Sequence, residues 1–202
     1  MRTCIFALLA LSGIQAGQIA SLGPVTGAAT GTQVGLSTPF INNDNVGGAS
    51  PNTFAFTLNL LSIGVIDHPL LSVATSGITE YDVTVQVTNN SSVAIIGWQF
   101  QLPGSPYDFD FPNFDSITSA SNGWTKTTHT AGLLVFQGAP LLPGDTVTLR
   151  LPVDFPDPGG SSFQSTPFAA VPEPASIALV ALPLALVLVR RRYRQLKGDA
   201  QA

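Results

Sequence analysis

Apolar and polar residues alternate along several stretches in the middle of the chain. At residues 81–88 every odd position is apolar or aromatic and every even position is polar, which is the period of a strand with one buried face. The same alternation runs through residues 53–60 and 146–155, and shorter strands are expected at 94–102 and 133–137. Because no comparable stretch has a helical period, the pattern predicts an all-β fold.

Turn-forming residues separate these predicted strands. Residues 89–92, Asn-Asn-Ser-Ser, follow one strand and precede the next at the spacing of a hairpin. In Pro143-Gly144-Asp145, proline fixes φ and glycine permits a positive φ. Pro152 falls on the polar face of its strand, which indicates an edge strand or a bulge.

The strands and turns together predict an antiparallel β-sandwich at residues 51–157. A chain of 202 residues has room for one such domain between two terminal segments. Residues 21–50 are rich in Gly, Thr, Ser and Asn, so we expect an arm there with one irregular strand. Residues 158–171 begin Pro-Gly-Gly-Ser-Ser and are expected to form a flexible linker.

The N-terminus has the pattern of a secretory signal peptide, which predicts passage through the Sec translocon. A positive start at Arg2 precedes an apolar run at residues 4–11 that is too short to span a bilayer, and small residues follow it. We expect cleavage after Ala16, with Ala20 as the alternative. Cleavage removes Cys4, the one cysteine, so the mature chain can form no disulfide, thiol nucleophile or thiolate metal site.

The charge is distributed unevenly. The whole chain has a formal charge of −4 at pH 7, but residues 21–170 contain two basic residues, Lys126 and Arg150, against ten acidic ones, a formal charge of −8. Binding to nucleic acid requires clustered Lys or Arg on a surface. The composition therefore argues against a nucleic-acid partner.

An apolar stretch near the C-terminus ends on a group of arginines. Residues 175–189 are uncharged and, as a helix, would extend about 22 Å, which is short for a hydrocarbon core of about 30 Å. Arginines that snorkel toward the headgroups would let a helix at 174–189 span marginally. The stop-transfer arginines are expected on the cytoplasmic side. They are Arg190, Arg191, Arg192 and Arg194.

Residues 172–197 as a whole resemble the PEP-CTERM sorting tail of Gram-negative bacteria. The motif is Pro172, Glu173 and Pro174, followed by the short apolar span and the arginines at 190–194. The resemblance implies transient anchoring in the inner membrane and recognition by exosortase, a membrane-embedded enzyme. The mature domain would then reach the cell surface or the medium. Pro183 departs from an uninterrupted span, and the alternative is an ordinary C-terminal anchor without processing.

A second resemblance concerns the predicted sandwich. The runs Val87-Thr88-Asn89-Asn90-Ser91 and Trp98-Gln99-Phe100-Gln101-Leu102, with a late Pro143-Gly144-Asp145-Thr146, are similar to those of domains that precede PEP-CTERM tails. We therefore expect an exported, non-catalytic surface or extracellular-matrix protein. The alternative is a carbohydrate-binding module for the exopolysaccharide of the host cell.

Three aromatic residues are candidates for stacking against sugar rings: Trp98, Trp124 and Tyr107. Trp98 is in register with Ile96 and Phe100, which favours a place in the core instead. Trp124 follows Asn-Gly in a predicted loop and is the better candidate for exposure.

Four oxygen-bearing side chains lie within eight positions and form a candidate calcium site, since Ca²⁺ takes six to eight oxygen ligands. They are Asp108, Asp110, Asn113 and Asp115. The alternative is a solvated strand face, because Asp108 and Asp110 alternate with phenylalanines.

The two histidines, His68 and His129, are both expected at the surface, His68 because it precedes a proline in an apparent turn. Without cysteine they cannot build a closed zinc site unless carboxylates join them, and no G-x-S-x-G nucleophile motif is present. We therefore expect neither a cofactor nor enzymatic activity. Asn89 and Asn90 each match the N-x-[ST] acceptor pattern.

Overall fold

The computed structural model describes residues 15–41, 50–103, 109, 119–155 and 162–170. The regular secondary structure in these ranges is entirely β, without a helix, so the all-β prediction is confirmed. The strands are β1 Gln15–Leu22, β2 Thr26–Gly27, β3 Ala29–Ser37, β4 Thr53–Leu60, β5 Ile66–Ser76, β6 Thr79–Asn89, β7 Ile95–Gln101, β8 Ser119–Ala120, β9 Thr125–His129, β10 Leu133–Leu141, β11 Thr146–Phe155 and β12 Ser162–Ala169.

The strands form two sheets. Sheet 1 has the order β1-β5-β12-β7-β10-β9, with β2 also paired to β5, and sheet 2 has the order β3-β4-β6-β11-β8. All pairs are antiparallel except β4 and β6, which are parallel. The predicted antiparallel arrangement needs this correction because the chain leaves sheet 2 after β4, runs through β5 in sheet 1, and re-enters sheet 2 in the same direction.

The five predicted strands are confirmed as β4, β6, β7, β10 and β11. The two predicted turns have a different role from the one expected. Residues 89–92 join β6 of sheet 2 to β7 of sheet 1, and residues 142–145 join β10 of sheet 1 to β11 of sheet 2. Gly144 has the positive φ, 92°, that its turn requires. Both turns are therefore crossings between the sheets and not hairpins.

The segments on either side of the predicted sandwich also contribute strands. Within residues 21–50, where we expected an arm, β3 pairs with β4 over its whole length and β2 pairs with β5. Within residues 158–171, the expected linker, β12 lies between β5 and β7. The strands form because alternate residues, such as Phe163 and Ser165, face the core even in these small-residue stretches.

The two sheets face each other across one apolar core. Phe56 of sheet 2 lies 5.5 Å from the His68 ring and 6.0 Å from the Phe163 ring, both of sheet 1, between ring centroids. The hydroxyl of Tyr81 in β6 accepts a hydrogen bond from the backbone N–H of Ile19 in β1, at 3.0 Å. Residues at alternate positions of both sheets thus bury one continuous set of side chains.

Asn89 joins the two crossings between the sheets. Its buried side chain donates through Nδ2 to the carbonyl oxygens of Val93 and Leu141, both at 2.9 Å. Its Oδ1 accepts from the N–H and the hydroxyl of Ser91, at 3.1 and 2.6 Å. Its backbone N–H donates to the carbonyl of Asp145. Because both Nδ2 protons are used inside the fold, Asn89 does not present its amide to a glycosylating enzyme.

Candidate functional site

The predicted sorting motif Pro172, Glu173 and Pro174 and the arginines at 190–194 lie outside the described residues. The compact unit that contains every described strand ends at Ala170. Within the ranges that the structure describes, no helix has the length and apolarity needed to cross a membrane.

The aromatic residues proposed for sugar stacking do not form an exposed platform in the described part of the chain. Trp98 is fully buried beside Phe100, with ring centroids 6.4 Å apart. Trp124 is 3% exposed, and its Nε1 donates to the carbonyl of Ala139 at 2.8 Å. Its ring covers Gly138, where a Cβ atom would lie 2.5 Å from Trp124 Cδ1. The loop exposure expected for Trp124 is wrong, and Tyr107 lies outside the described residues.

The four candidate calcium ligands, Asp108, Asp110, Asn113 and Asp115, also lie outside the described residues. Among the residues that are described, no group of three or more His, Cys, Asp or Glu side chains is placed to hold a metal ion.

His68 is buried, and the prediction that it lies at the surface is wrong. It faces the core from β5 together with Ile66 and Leu70, and its ring stacks on that of Phe163 at 4.5 Å between centroids. Its Nε2 lies 2.7 Å from the hydroxyl oxygen of Ser165, and its Nδ1 has no hydrogen-bond partner within the described ranges. We assign the proton to Nε2, because a buried N–H without an acceptor costs more than a bare lone pair.

Burial lowers the pKa of His68 from 6.5 to about 3, because the charged imidazolium would lose its hydration in the core. The ring is therefore neutral at physiological pH. A histidine and a serine at hydrogen-bonding distance suggest nucleophilic chemistry, but both side chains are enclosed, with Ser165 1% exposed. Their arrangement is that of a hydrogen-bonded polar pair enclosed within the core.

His129 lies at the end of β9 and is half-buried. Its Nε2 lies 2.8 Å from the carbonyl oxygen of Phe109, a residue whose own ring is fully buried. The two histidines thus make separate contacts in different parts of sheet 1, and each has a structural hydrogen bond.

The outer face of sheet 2 is an open surface of hydroxyl and amide groups. The strand register aligns Thr32, Thr57, Gln86 and Thr148 in one row across β3, β4, β6 and β11, and we call this row the threonine row. Three members of the row, Thr57, Gln86 and Thr148, line a shallow groove of about 220 Å³ together with Thr84, Ala55 and Val34. No charged side chain lines the groove, and its surface is mostly apolar, with a few hydroxyl and amide groups.

Carboxyl groups gather at the opposite end of sheet 2 from the crossings. Glu80, Asp82 and Asp154, which we call the acidic end, are all less than a tenth exposed, and Glu80 pairs directly with Asp154 across the strands. Arg150 donates from Nε to both Asp82 oxygens at 2.8 and 2.9 Å, and hydrogen bonding to Asp82 raises the pKa of Arg150. This ion pair neutralises the Asp82 carboxylate.

Sequence reasoning did not single out the threonine row, although its signal was present. The row depends on two features: the polar residues at even positions of β6, and the parallel pairing of β6 with β4. The polar positions can be recognised in the sequence, but the pairing cannot.

Comparison with protein-family models, with curated proteins and with solved structures gives no match to this chain.

Proposed function

We propose that the chain is an exported, non-catalytic surface or matrix protein whose residues 172–197 are a sorting signal processed by exosortase. The observation that carries the proposal is the order of Pro172-Glu173-Pro174, an apolar stretch and four arginines. The fold supports it, because the last described strand ends at Ala169, three residues before Pro172. Removal of the tail would therefore leave every described strand in place.

The N-terminal strand bears on the choice between the two signal-peptide cleavage positions. Cleavage after Ala20 would remove most of β1, including Ile19, which is 1% exposed and bonded to Tyr81. Cleavage after Ala16 leaves Ile19 and its hydrogen bond intact. We therefore propose that the mature chain begins at Gly17.

Replacement of Pro172, Glu173 and Pro174 by alanine is expected to stop processing. Alanine favours a helix by about 3 kcal/mol per residue over proline, so a helix would extend back through the motif and remove the extended segment that a protease binds. The altered protein should stay at full length in the inner membrane of a host that has an exosortase. Immunoblots of membrane and external fractions, with an epitope at each end, measure this.

The matched control is Pro183→Ala, which removes a proline from the apolar stretch and leaves the motif unchanged. This variant should lose its C-terminal epitope as the parent does. Equal processing of the triple-alanine chain, or a parent that persists intact in the membrane, would refute the sorting signal and leave an ordinary anchor.

The threonine row favours a second candidate function, the binding of a polysaccharide. Sugars present neutral hydroxyls as well as apolar C–H faces, and the uncharged groove offers threonine hydroxyls and the Gln86 amide beside apolar side chains. The buried tryptophans offer no stacking contribution on the described surface. Without aromatic stacking, binding of this kind would be weak for each sugar unit.

Changing Thr57, Thr84 and Thr148 to valine should weaken such binding by at least about tenfold, since each neutral hydrogen bond contributes about 0.5–1.5 kcal/mol. Valine keeps the branched shape, so the sheet should be unaffected. Calorimetric titration with the host's exopolysaccharide measures the change, with Thr125→Val on the exposed part of β9 as the control. Identical affinities for both variants would exclude the groove as the binding surface.

A further inference from the structure

Five of the ten large apolar side chains exposed in the described residues lie at one end of the domain. Three loops meet there: residues 61–65 after β4, residues 90–94 after β6, and residues 142–145 after β10. Each loop exposes at least one large apolar residue to a substantial degree. These are Leu61 at 55%, Ile63 at 43%, Val65 at 49%, Val93 at 38% and Leu142 at 54%. We call these five side chains the apolar rim.

Hydrogen bonds hold the three loops next to one another. The N–H of Asn90 donates to the carbonyl of Leu60, which joins the second loop to the first. The side chain of Asn89 donates to the carbonyls of Val93 and Leu141, which joins the second loop to the third. These hydrogen bonds keep the three loops that carry the apolar rim next to one another.

The chain leaves the domain at this same end. The N–H of Ala170 donates to the carbonyl of Ala94 at 2.8 Å, within the second loop. Residues 171–174 separate Ala170 from the apolar stretch that begins at Ala175. Fully extended, that connection reaches at most about 18 Å. A domain whose tail is anchored in a bilayer therefore cannot move its exit point far from that bilayer.

Charge is sparse at the rim. The three loops contain one charged residue, Asp145, whose carboxylate accepts a hydrogen bond from the N–H of Leu142. Asp67, at the start of β5, accepts from the side chain of Gln164. The acidic end lies at the far ends of β6 and β11. The buried carboxyls are thus as far from the exit point as sheet 2 allows.

We propose that the apolar rim contacts the outer surface of the lipid bilayer in which the C-terminal segment is anchored. This inference rests on the proposed function. Bulky apolar side chains at the tips of several loops are suited to the headgroup and acyl boundary, where their surface leaves water. Until the tail is cleaved, the contact keeps the apolar rim directed toward the bilayer. It also keeps residues 171–174 at the membrane surface, where a membrane-embedded protease acts.

The test measures lipid contact at single positions in the full chain, with Cys4→Ser so that one introduced cysteine is labelled. The chain is reconstituted in phosphatidylethanolamine and phosphatidylglycerol vesicles that contain a lipid with a nitroxide near the headgroup. An environment-sensitive fluorophore is placed on Ile63→Cys or Leu142→Cys. The matched control is Ile41→Cys, an isoleucine 49% exposed at the opposite end of the domain.

The expected result is loss of emission at Ile63→Cys and Leu142→Cys with little change at Ile41→Cys. A label on Leu186→Cys, inside the apolar stretch, reports separately whether the tail is inserted. Quenching at 186 without quenching at 63 and 142 would overturn the inference and leave the anchor. Absence of quenching at 186 would overturn the proposed anchor and this inference with it.

Two further outcomes also count against lipid contact. Equal quenching at Ile41→Cys and Ile63→Cys would mean that any exposed apolar residue reaches the lipid. A blue-shifted label at Ile63→Cys that is not quenched, and whose shift disappears when the protein is diluted in lipid, would assign the rim to contact between copies of the chain.

Discussion

A chain that ends at residue 161 is expected to be unable to fold, whereas one that ends at Ala170 should fold as the complete domain does. The difference is β12, which lies in the middle of sheet 1 and pairs with β5 on one side and β7 on the other. Without it, the sheet separates into two parts with unpaired edges. Unpaired backbone groups that remain buried are costly.

The shorter chain would also lose packing in the core. Phe163 of β12 has ring contacts with Phe56, His68 and Phe100 at 4.5–6.2 Å between centroids. Removal of one buried phenylalanine ring typically costs about 3–5 kcal/mol. Since a domain is stable by only about 5–15 kcal/mol, loss of this ring together with two strand pairings exceeds what the fold can tolerate.

Circular dichroism and urea unfolding of the two purified chains, each beginning at Gly17, measure the effect. The matched control is Phe163→Ala in the chain that ends at Ala170, which should unfold cooperatively at lower urea. A cooperative transition of similar midpoint in the chain that ends at 161 would show that β12 is dispensable.

The position of β12 also bears on export. On the proposed function, β12 is the last described strand to be exported. It completes the centre of sheet 1, so the domain could not finish folding until residues up to 170 were outside. On the proposed function, the apolar stretch is then entering the bilayer. Folding would thus end beside the membrane, with the sorting motif only two residues beyond Ala170.

Strands could be predicted from the sequence where alternation was regular, and pairing could not. Residues 81–88 alternate without exception and lie within β6. In β3 and β12 the alternating positions are filled by small or polar residues such as Gly31 and Ser165, which carry little hydropathy contrast. Whether residues 89–92 close a hairpin or cross between sheets depends on Asn89 and its partner Leu141, which is 52 residues away.

The candidate site could be predicted from the sequence only in part. The register of Trp98 with Phe100 indicated the core, where both lie. For Trp124, the adjacent Asn-Gly turn suggested exposure, but the ring folds back over Gly138. For His68, the following proline suggested a turn. Ile66 and Leu70, each two residues away, indicated instead that His68 lies on the buried face of a strand. In both cases the neighbouring residues indicated a turn at the surface, but strands distant in the sequence bury the side chain.

Stability is expected to fall as the pH decreases from 6.5 toward 3, and His68 should account for a measurable part of the change. Unfolding returns its pKa from about 3 to about 6.5. Between these values the unfolded chain binds a proton that the folded chain does not bind, so the free energy of unfolding rises with pH there. Through His68, the free energy of unfolding falls progressively below pH 6.5 and is lower by about 2 kcal/mol at pH 5. Above pH 7.5, His68 does not change it.

The double variant His68→Phe with Ser165→Ala isolates this contribution. Phenylalanine keeps a ring between Phe56 and Phe163, and the second change removes the hydroxyl that would otherwise lose its partner. Replacing both partners of a buried hydrogen bond by apolar groups is nearly neutral, so the variant should fold. The two chains are otherwise identical, so the comparison between them isolates the effect of the His68 and Ser165 pair. Urea unfolding from pH 7.5 to 4.5 should therefore show the parent losing stability relative to the double variant as the pH falls below 6.5. If the two chains lose stability in parallel over that range, His68 is not a buried neutral base in solution, and its placement in the core is wrong.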